Sequence, residues 1–126
     1  MQKVRTQLKE HLVPELRNLG FKGSFPHFRR IREQRIHLLT FQFDKYGTGR
    51  FVIELAVAPR GPFTTSWGKE IAEGKLTVHD LNERQRLGAI EGGDQWFSIE
   101  PHISETVDEI LELLQTKGQK FLDSKN

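Results

Sequence analysis

The sequence predicts an α+β domain, with an antiparallel β-sheet of four to five strands and with N- and C-terminal helices packed mainly on one face. Apolar residues repeat at the helical period at both ends of the chain, over residues 3–19 and again from Ile103 to Leu122. Between these ends, Ile36–Phe43 and Phe51–Ala58 place apolar residues on alternate positions, as strands with a buried face do. The 126 residues suffice for one hydrophobic core, so we expect a single domain over residues 1–126.

The N-terminal helix is predicted from five apolar residues spaced three and four apart, which places them on one helical face. They are Val4, Leu8, Leu12, Leu16 and Leu19. Pro14 cannot donate a backbone hydrogen bond and its ring crowds the preceding turn, so we expect the helix to kink or restart there. Gly20 is expected to close the helix.

Three strands are predicted to follow as an antiparallel meander, at Phe28–Arg32, Ile36–Phe43 and Phe51–Ala58. Gly47 and Gly49 lie between the last two strands, where a hairpin turn needs residues that accept a positive φ. Residues 23–26, with their Gly, Ser and Pro, are expected to form the turn that precedes the meander.

Residues 60–94 show no sustained period. Their pattern indicates a short helix at Ser66–Glu73 and a strand near Arg86. Gln95–Ile99 is then expected to be the last strand, with Trp96 on one face of the sheet and Phe97 on the other.

The C-terminal helix is the most regular element of the sequence. Pro101 suits the first turn of a helix, and acidic residues in the first turns with Lys117 and Lys120 near the end match the helix dipole. The apolar residues that follow the helical period are Ile103, Val107, Ile110, Leu111, Leu114, Phe121 and Leu122.

Composition and motifs exclude several classes of protein. The chain has no cysteine, which excludes disulfides and thiolate metal or redox sites, and no run approaches the ~20 apolar residues of a membrane span. Its five histidines have no metal-site spacing, and no glycine-rich nucleotide motif or nucleophile motif occurs. We therefore expect a cytoplasmic protein without metal or cofactor, and the sequence names no catalytic residue.

Basic residues are concentrated in the first half of the chain. Residues 1–60 carry 12 Lys and Arg against 5 Asp and Glu, whereas residues 61–126 carry 7 against 12. Four arginines lie next to Phe28 in the sequence. Proteins that bind single-stranded nucleic acid combine cations, which contact the phosphates, with aromatic side chains, which stack on the bases. These arginines are Arg29, Arg30, Arg32 and Arg35. The alternative is a solvated strand whose charges protect a sheet edge, with Arg29 and Arg30 facing opposite sides.

Four segments in order carry a resemblance to a known family. They are residues 12–22 (LVPELRNLGFK), Phe28–Arg30, Leu39–Gln42 with Phe51–Leu55, and Arg86–Gly88 with Asp94–Phe97. In these segments the chain resembles the bacterial domain-of-unknown-function family 4304 along nearly its whole length. The resemblance implies the fold but no activity, substrate or catalytic residue.

The same resemblance singles out Gln42, Arg86, Asp94 and Trp96. A structural interpretation pairs Arg86 with Asp94 and places Trp96 in the core. A functional interpretation makes them a pocket on the sheet, with Arg86 binding an anion and Trp96 forming an apolar wall.

These observations lead to three hypotheses about function. The first is a non-catalytic binding or interaction module whose ligand is another protein, engaged at a sheet face or edge. The second is a small hydrolase or transferase whose site is assembled around Arg86, Asp94 and Trp96. The third is binding of single-stranded nucleic acid at the arginines around Phe28. The sequence leaves the oligomeric state open.

Overall fold

The computed structural model describes residues 2–87 and 96–124. Its main sheet has five antiparallel strands in the order β1-β2-β3-β4-β7, and a separate two-stranded hairpin is formed by β5 and β6. The strands are β1 (Lys22–Ser24), β2 (His27–Ile31), β3 (Arg35–Phe43), β4 (Phe51–Pro59), β5 (Phe63–Thr64), β6 (Glu70–Ile71) and β7 (Arg84–Arg86). The helices are α1 (Gln2–His11), α2 (Val13–Asn18), α3 (Ile103–Leu113) and α4 (Gln119–Ser124), with a π-helical turn at Leu114–Gly118. The predicted α+β class is confirmed.

The N-terminal helix restarts at Pro14, as the sequence predicts. Helix α1 ends at His11, and Pro14 lies in the first turn of α2, where its missing N–H costs no intrahelical bond. The backbone N–H of Leu12 still donates to the carbonyl of Leu8 at 2.9 Å, so the two helices follow one another closely. Gly20, with φ of +97°, ends α2 in a conformation that only glycine adopts without strain.

Both terminal helices pack on one face of the sheet, which confirms the predicted arrangement. The core between them buries sheet residues from β2, β3 and β4, and the helices contribute leucines from α1 and α2 and apolar residues from the C-terminal segment. The sheet residues are Phe28, Leu39, Phe41, Phe51, Ile53 and Leu55, and the helical residues include Leu8, Leu12, Leu16, Val107, Ile110 and Leu114. We call this side of the sheet the helix face.

The opposite side, here named the second face, is partly covered by the chain between β6 and β7. Two 3₁₀ turns, Glu73–Lys75 and Val78–Asp80, lie over it. A smaller core forms there from Ile36, Leu38, Ala56 and Ala58 of the sheet and Leu76, Val78 and Leu81 of the covering segment. The sheet is therefore covered on both faces along part of its length, which explains why most residues of β3 and β4 are buried.

The predicted helix at Ser66–Glu73 is wrong, because this segment forms the turn and second strand of the β5–β6 hairpin. The hydroxyl of Thr65 accepts a hydrogen bond from the backbone N–H of Lys69 at 3.0 Å, and the N–H of Thr65 donates to the carbonyl of Lys69 at 2.8 Å. These bonds close a tight turn instead of a helix. The predicted strand near Arg86 is confirmed as β7.

Three further boundaries differ from the sequence prediction. Gly23 and Ser24 were expected to lie in a turn, but residues 22–24 pair with β2 as the short edge strand β1. Only an isolated bridge between Phe51 and Phe97 stands where a last strand was predicted, and Gln95 lies outside the described residues. The C-terminal helix begins at Ile103 and not at Pro101, because His102 is extended, with φ of −132°.

Gly118 brings the C-terminal helix directly against the sheet. A Cβ atom at this position would lie 3.0 Å from Cδ1 of Leu87 and 3.3 Å from Cδ1 of Leu55. This close contact occurs at the end of the π-helical turn, and it places α4 beside strand β7.

Candidate binding site

A polar cluster with two buried residues, Thr40 and Glu54, lies on the second face. Thr40 and Glu54 are cross-strand partners in β3 and β4, and Glu54 also pairs in register with Arg86 of β7. Glu54 is buried, its Oε1 lies 3.2 Å from Nε of Arg86, and its Oε2 lies 3.6 Å from an Nη of Arg84. Arg86 is thus held by Glu54. Asp94, the partner proposed from the sequence, lies outside the described residues.

Trp96 lies close to two arginines. The guanidinium carbon of Arg50 is 6.0 Å from the centre of its ring, and that of Arg86 is 5.9 Å away. Guanidinium groups at these distances are attracted to the face of an indole ring. Phe97 is paired with Phe51 and buried in the helix-face core, whereas Trp96 remains 38% exposed. Trp96 is therefore not a core residue, and it forms part of the surface.

Gln42 and Trp96 line the same pocket, with a cavity of about 320 Å³. The other lining residues come from the end of β3 and from the β3–β4 turn. They are Phe43, Asp44, Lys45, Tyr46 and Arg50. We call this site the aromatic pocket. The structure thus brings together two of the four residues singled out from the sequence, and the guanidinium carbon of a third, Arg86, lies 5.9 Å from the ring centre of Trp96.

Sequence reasoning missed Tyr46, the most exposed aromatic residue of the pocket. Its side chain is 78% exposed, and Nζ of Lys45 lies 5.3 Å from the centre of its ring. It stands in a glycine-containing turn, where a large aromatic side chain has no core to enter. The position of Tyr46 in a turn could have identified it as a surface residue, because an aromatic residue in a turn is exposed unless a distant segment covers it.

Asp44 orders the turn that carries Tyr46. Its carboxylate accepts hydrogen bonds from the hydroxyl and the backbone N–H of Thr48, the latter at 3.0 Å, and it lies 3.7 Å from Nε of Arg50. The hydrogen bond from the Thr48 hydroxyl is the main reason that the pKa of Asp44 is lowered from its usual value. Asp44 is therefore ionised and already bonded within the turn, which is typical of a structural carboxylate.

Two histidines adjoin the polar cluster. Nδ1 of His27 lies 3.0 Å from Oγ1 of Thr40, and the His27 ring meets that of His79 edge to face at 5.9 Å. Burial lowers the pKa of His27, the charges of His79 and Arg29 lower it further, and Asp80 opposes them. The Thr40 hydroxyl is buried, so this pair stabilises the contact between β2 and β3 and offers no accessible nucleophile.

The residues of the nucleic-acid hypothesis do not form the expected cationic surface. Phe28 is buried in the helix-face core and cannot stack on a base. Arg29 donates to the carbonyls of Glu73 and Leu76 at 2.5 and 2.7 Å, which holds the 3₁₀ segment on the second face. Arg29 and Arg30 face opposite sides of the sheet, as predicted, and both are used inside the fold.

Arg30 is buried on the helix face. Its guanidinium donates to the carbonyl of Leu19 at 3.1 Å, to Oε1 of Gln119 at 2.8 Å and to Nδ1 of His37 at 3.0 and 3.2 Å. It also lies over the ring of Phe21 at 4.5 Å. The other two arginines of the hypothesis, Arg32 and Arg35, lie at the β2–β3 turn. There the backbone N–H of Arg32 donates to the carbonyl of Arg35.

Fold and site together define a small α+β protein with an aromatic surface pocket beside a buried ion-pair cluster. The chain belongs to the family described as Domain of unknown function (DUF4304), whose model matches residues 12–124. The resemblance inferred from four sequence segments is thus confirmed. Neither a curated protein nor a solved structure matches the chain. That family description names no function, so no binding or catalytic residue can be transferred from it.

Residues 2–87 and 96–124 contain no group of three or more His, Cys, Asp or Glu side chains arranged to hold a metal ion. Within the same residues, no helix combines the length and the apolar character that crossing a lipid bilayer requires.

Proposed function

We propose that this protein is a non-catalytic binding module that holds part of a partner protein in the aromatic pocket. The observation that carries the proposal is the position of Trp96, whose ring centre lies 6.0 Å from the guanidinium carbon of Arg50 and 5.9 Å from that of Arg86, and which lines a cavity together with Tyr46. Trp, Tyr and Arg are the residues that contribute most binding energy at protein interfaces. The aromatic pocket contains one of each.

The pocket is also organised before a partner arrives. Arg50 contacts both Trp96 and Asp44, and Asp44 is bonded to Thr48 in the turn that carries Tyr46. Side chains already held in place lose less conformational entropy on binding, which leaves more of the contact energy as affinity. Lys45 and Arg50 make the rim basic and favour a partner segment with acidic residues beside an apolar one.

The chemistry of the lining residues supports binding rather than catalysis. The carboxylate of Asp44 has a lowered pKa and is already bonded to Thr48, so it is a weak base. Among the described residues, the other polar side-chain groups of the pocket are the amide of Gln42, the phenol of Tyr46, the indole N–H of Trp96 and the cations of Lys45 and Arg50. Such groups position and recognise a ligand.

The proposal is tested by comparing two tryptophan variants of a tagged protein in lysate of the native host. Trp96→Ala removes one wall of the pocket. Trp67→Ala is the matched control, because Trp67 is the chain's other tryptophan and is 60% exposed in the β5–β6 turn. We expect the wild type and Trp67→Ala to recover one stoichiometric protein partner, and Trp96→Ala to lose it. Equal recovery by both variants would exclude the aromatic pocket as the interface.

Affinity is then measured on the purified partner. In a Trp67→Phe variant, Trp96 is the single tryptophan, so its emission reports directly on occupancy of the pocket. We expect the emission to shift on binding, and we expect Trp96→Ala to weaken binding by about thirtyfold, the effect of losing one interface hot spot.

The alternatives give different results in the same experiment. Recovery that depends on nucleic acid, and is abolished by nuclease, would favour the nucleic-acid hypothesis, with the exposed Arg32 and the half-buried Arg35 as the arginines concerned. Recovery of the protein alone would favour an enzyme, to be examined with metabolite and hydrolase screens around Arg86, Asp94 and Trp96. A cytoplasmic location and a bacterial origin remain part of the proposal, and imaging of a fluorescent fusion in the native host tests the location.

A further inference from the structure

A second concave surface lies away from the aromatic pocket, between strand β7 and helix α4. We call it the basic groove. It has a volume of about 500 Å³ and is lined by Arg84 and Gln85 of β7 and by Lys117, Lys120, Phe121 and Ser124 of the C-terminal helix. The side chain of Phe121 is half-buried and gives the groove an apolar part, and both lysines are exposed.

The helical residues of the groove share one face because they are spaced by three, one and three positions along the helix. Gly118, packed against Leu87 and Leu55, keeps the opposite side of the helix close to the sheet. Strand β7 is the edge of the main sheet, and it pairs with β4 over three residues. The groove is therefore bounded on both sides by regular elements, which fix the backbone positions of its cationic residues.

The charges around the groove are unbalanced. Lys117 and Lys120 form no ion pair with any residue in the described ranges 2–87 and 96–124. Arg84 adds a third cation, 39% exposed and 3.6 Å from the buried Glu54. Glu83 is the one carboxylate among the described lining residues. Like charges in one concavity raise the local positive potential and attract an anionic partner.

We propose that the basic groove binds an extended acidic segment of a partner protein. Two lysines three positions apart on a helix are separated by about 5–6 Å at Cβ, and Arg84 lies across the groove on the strand. Alternate side chains of an extended peptide are about 7 Å apart on one side. Successive carboxylates on one side of such a segment can therefore meet successive cations. Phe121 contacts the methylene groups between the carboxylates.

This inference does not depend on the aromatic pocket, because the two sites share no lining residue among those described. It is tested with a fluorescein-labelled octaglutamate peptide, with an octaglutamine peptide of the same length as the uncharged probe. Binding is measured by fluorescence anisotropy at about 20 mM and at about 300 mM salt, since exposed charges are screened over this range. We expect the acidic peptide to bind at low salt and to be released at high salt, and the uncharged peptide not to bind.

Paired lysine variants identify the site. Lys117→Gln with Lys120→Gln removes both free cations of the groove. Lys69→Gln with Lys75→Gln is the matched control, because these lysines are also exposed but line a different cavity. We expect the first pair to weaken octaglutamate binding by about tenfold and the control pair by less than about twofold.

Amide chemical shifts of the wild type give an independent reading that needs no variant. Adding octaglutamate should move the resonances of Gln85, Lys117, Lys120 and Ser124. Equal loss of affinity in both lysine pairs, shifts centred on Trp96, or no binding at low salt would each overturn the proposal. Binding of inorganic tripolyphosphate or of an oligonucleotide in place of the peptide would overturn it as well, because the groove would then take a different class of anion.

Discussion

His37 is a buried histidine whose titration should make the protein less stable in mild acid. Its Nδ1 accepts hydrogen bonds from the guanidinium of Arg30 at 3.0 and 3.2 Å, and since arginine can only donate, the ring proton must be on Nε2. That Nε2 is buried without a hydrogen-bond partner. A second proton would have to enter at Nδ1, where it would break both bonds to Arg30 and bring two cations into contact.

The pKa of His37 reflects this arrangement. Burial, followed by the charges of Arg30 and Arg32, lowers the pKa from 6.5 to about 4, against an opposing effect of Asp123. Between these two values the unfolded chain binds a proton that the folded protein does not, so the free energy of unfolding falls as the pH falls. The full shift corresponds to about 3 kcal/mol, of which solvent screening leaves about 2 kcal/mol.

The assay is urea unfolding followed by tryptophan fluorescence, at neutral pH and at about pH 4.5. His37→Asn is the matched variant, because an asparagine oxygen can accept from Arg30 in place of Nδ1 and does not titrate. Carboxylates titrate in both proteins and cancel in the comparison. We expect the wild type to lose about 2 kcal/mol more than the variant on acidification.

Equal losses in the two proteins would refute this reasoning. An independent check is the ring resonance of His37 in a pH titration, which should stay in its neutral form down to about pH 4. A midpoint near 6.5 would mean that neither burial nor Arg30 acts on the ring as described.

Two further predictions concern residues that hold the fold around the sites. Arg29→Ala removes two hydrogen bonds to backbone carbonyls of the 3₁₀ segment and should lower the free energy of unfolding by about 2 kcal/mol, whereas Arg32→Ala, on the surface, should change it by less than about 0.5 kcal/mol. Similar losses in thermal or urea unfolding would contradict the structural role of Arg29. Gly118→Ala should cost about 1–2 kcal/mol, because the added methyl group meets Leu87 and this overpacking outweighs the gain in helix propensity. Gly74→Ala is its control, since a Cβ there has no atom within 4 Å, and a Gly118→Ala protein as stable as the wild type would show that the helix can move away from the sheet.

Elements whose burial is periodic could be predicted from local sequence. Leu39 and Phe41 in β3 and Ile53 in β4 lie on the helix face, as the alternation indicated, and the terminal helices bury the residues that follow the helical period. A helix or strand that buries one side has apolar residues at a regular spacing, so the element can be inferred without knowing any distant contact. The restart at Pro14 is likewise a local effect, because the proline ring acts on its own turn.

The segment that covers the second face could not be predicted in this way. Leu76 and Val78 are buried because Arg29 and the apolar side of β3 lie beneath them, and a few contacts to a distant strand leave no period in the sequence. Short 3₁₀ turns and two-residue strands form where such contacts place them. The predicted helix at Ser66–Glu73 failed because the bonds between Thr65 and Lys69 close a hairpin there, and the hairpin residues Phe63 and Ile71 pack against this core.

The sequence by itself determined the fold class, the side of the sheet that the helices cover and the opposite orientations of Arg29 and Arg30, because all of these follow from residue spacing. Only the tertiary structure decided which of the polar and aromatic residues are available for binding. Gln42 and Trp96 are distant in the chain, and the bridge between Phe51 and Phe97 helps bring them to one pocket. Arg29 and Arg30 face in the predicted directions, but each binds a distant part of the chain. Arg29 donates to the carbonyls of Glu73 and Leu76, and Arg30 donates to Gln119. Availability of a side chain depends on what the folded chain places around it, and that is a property of the whole structure.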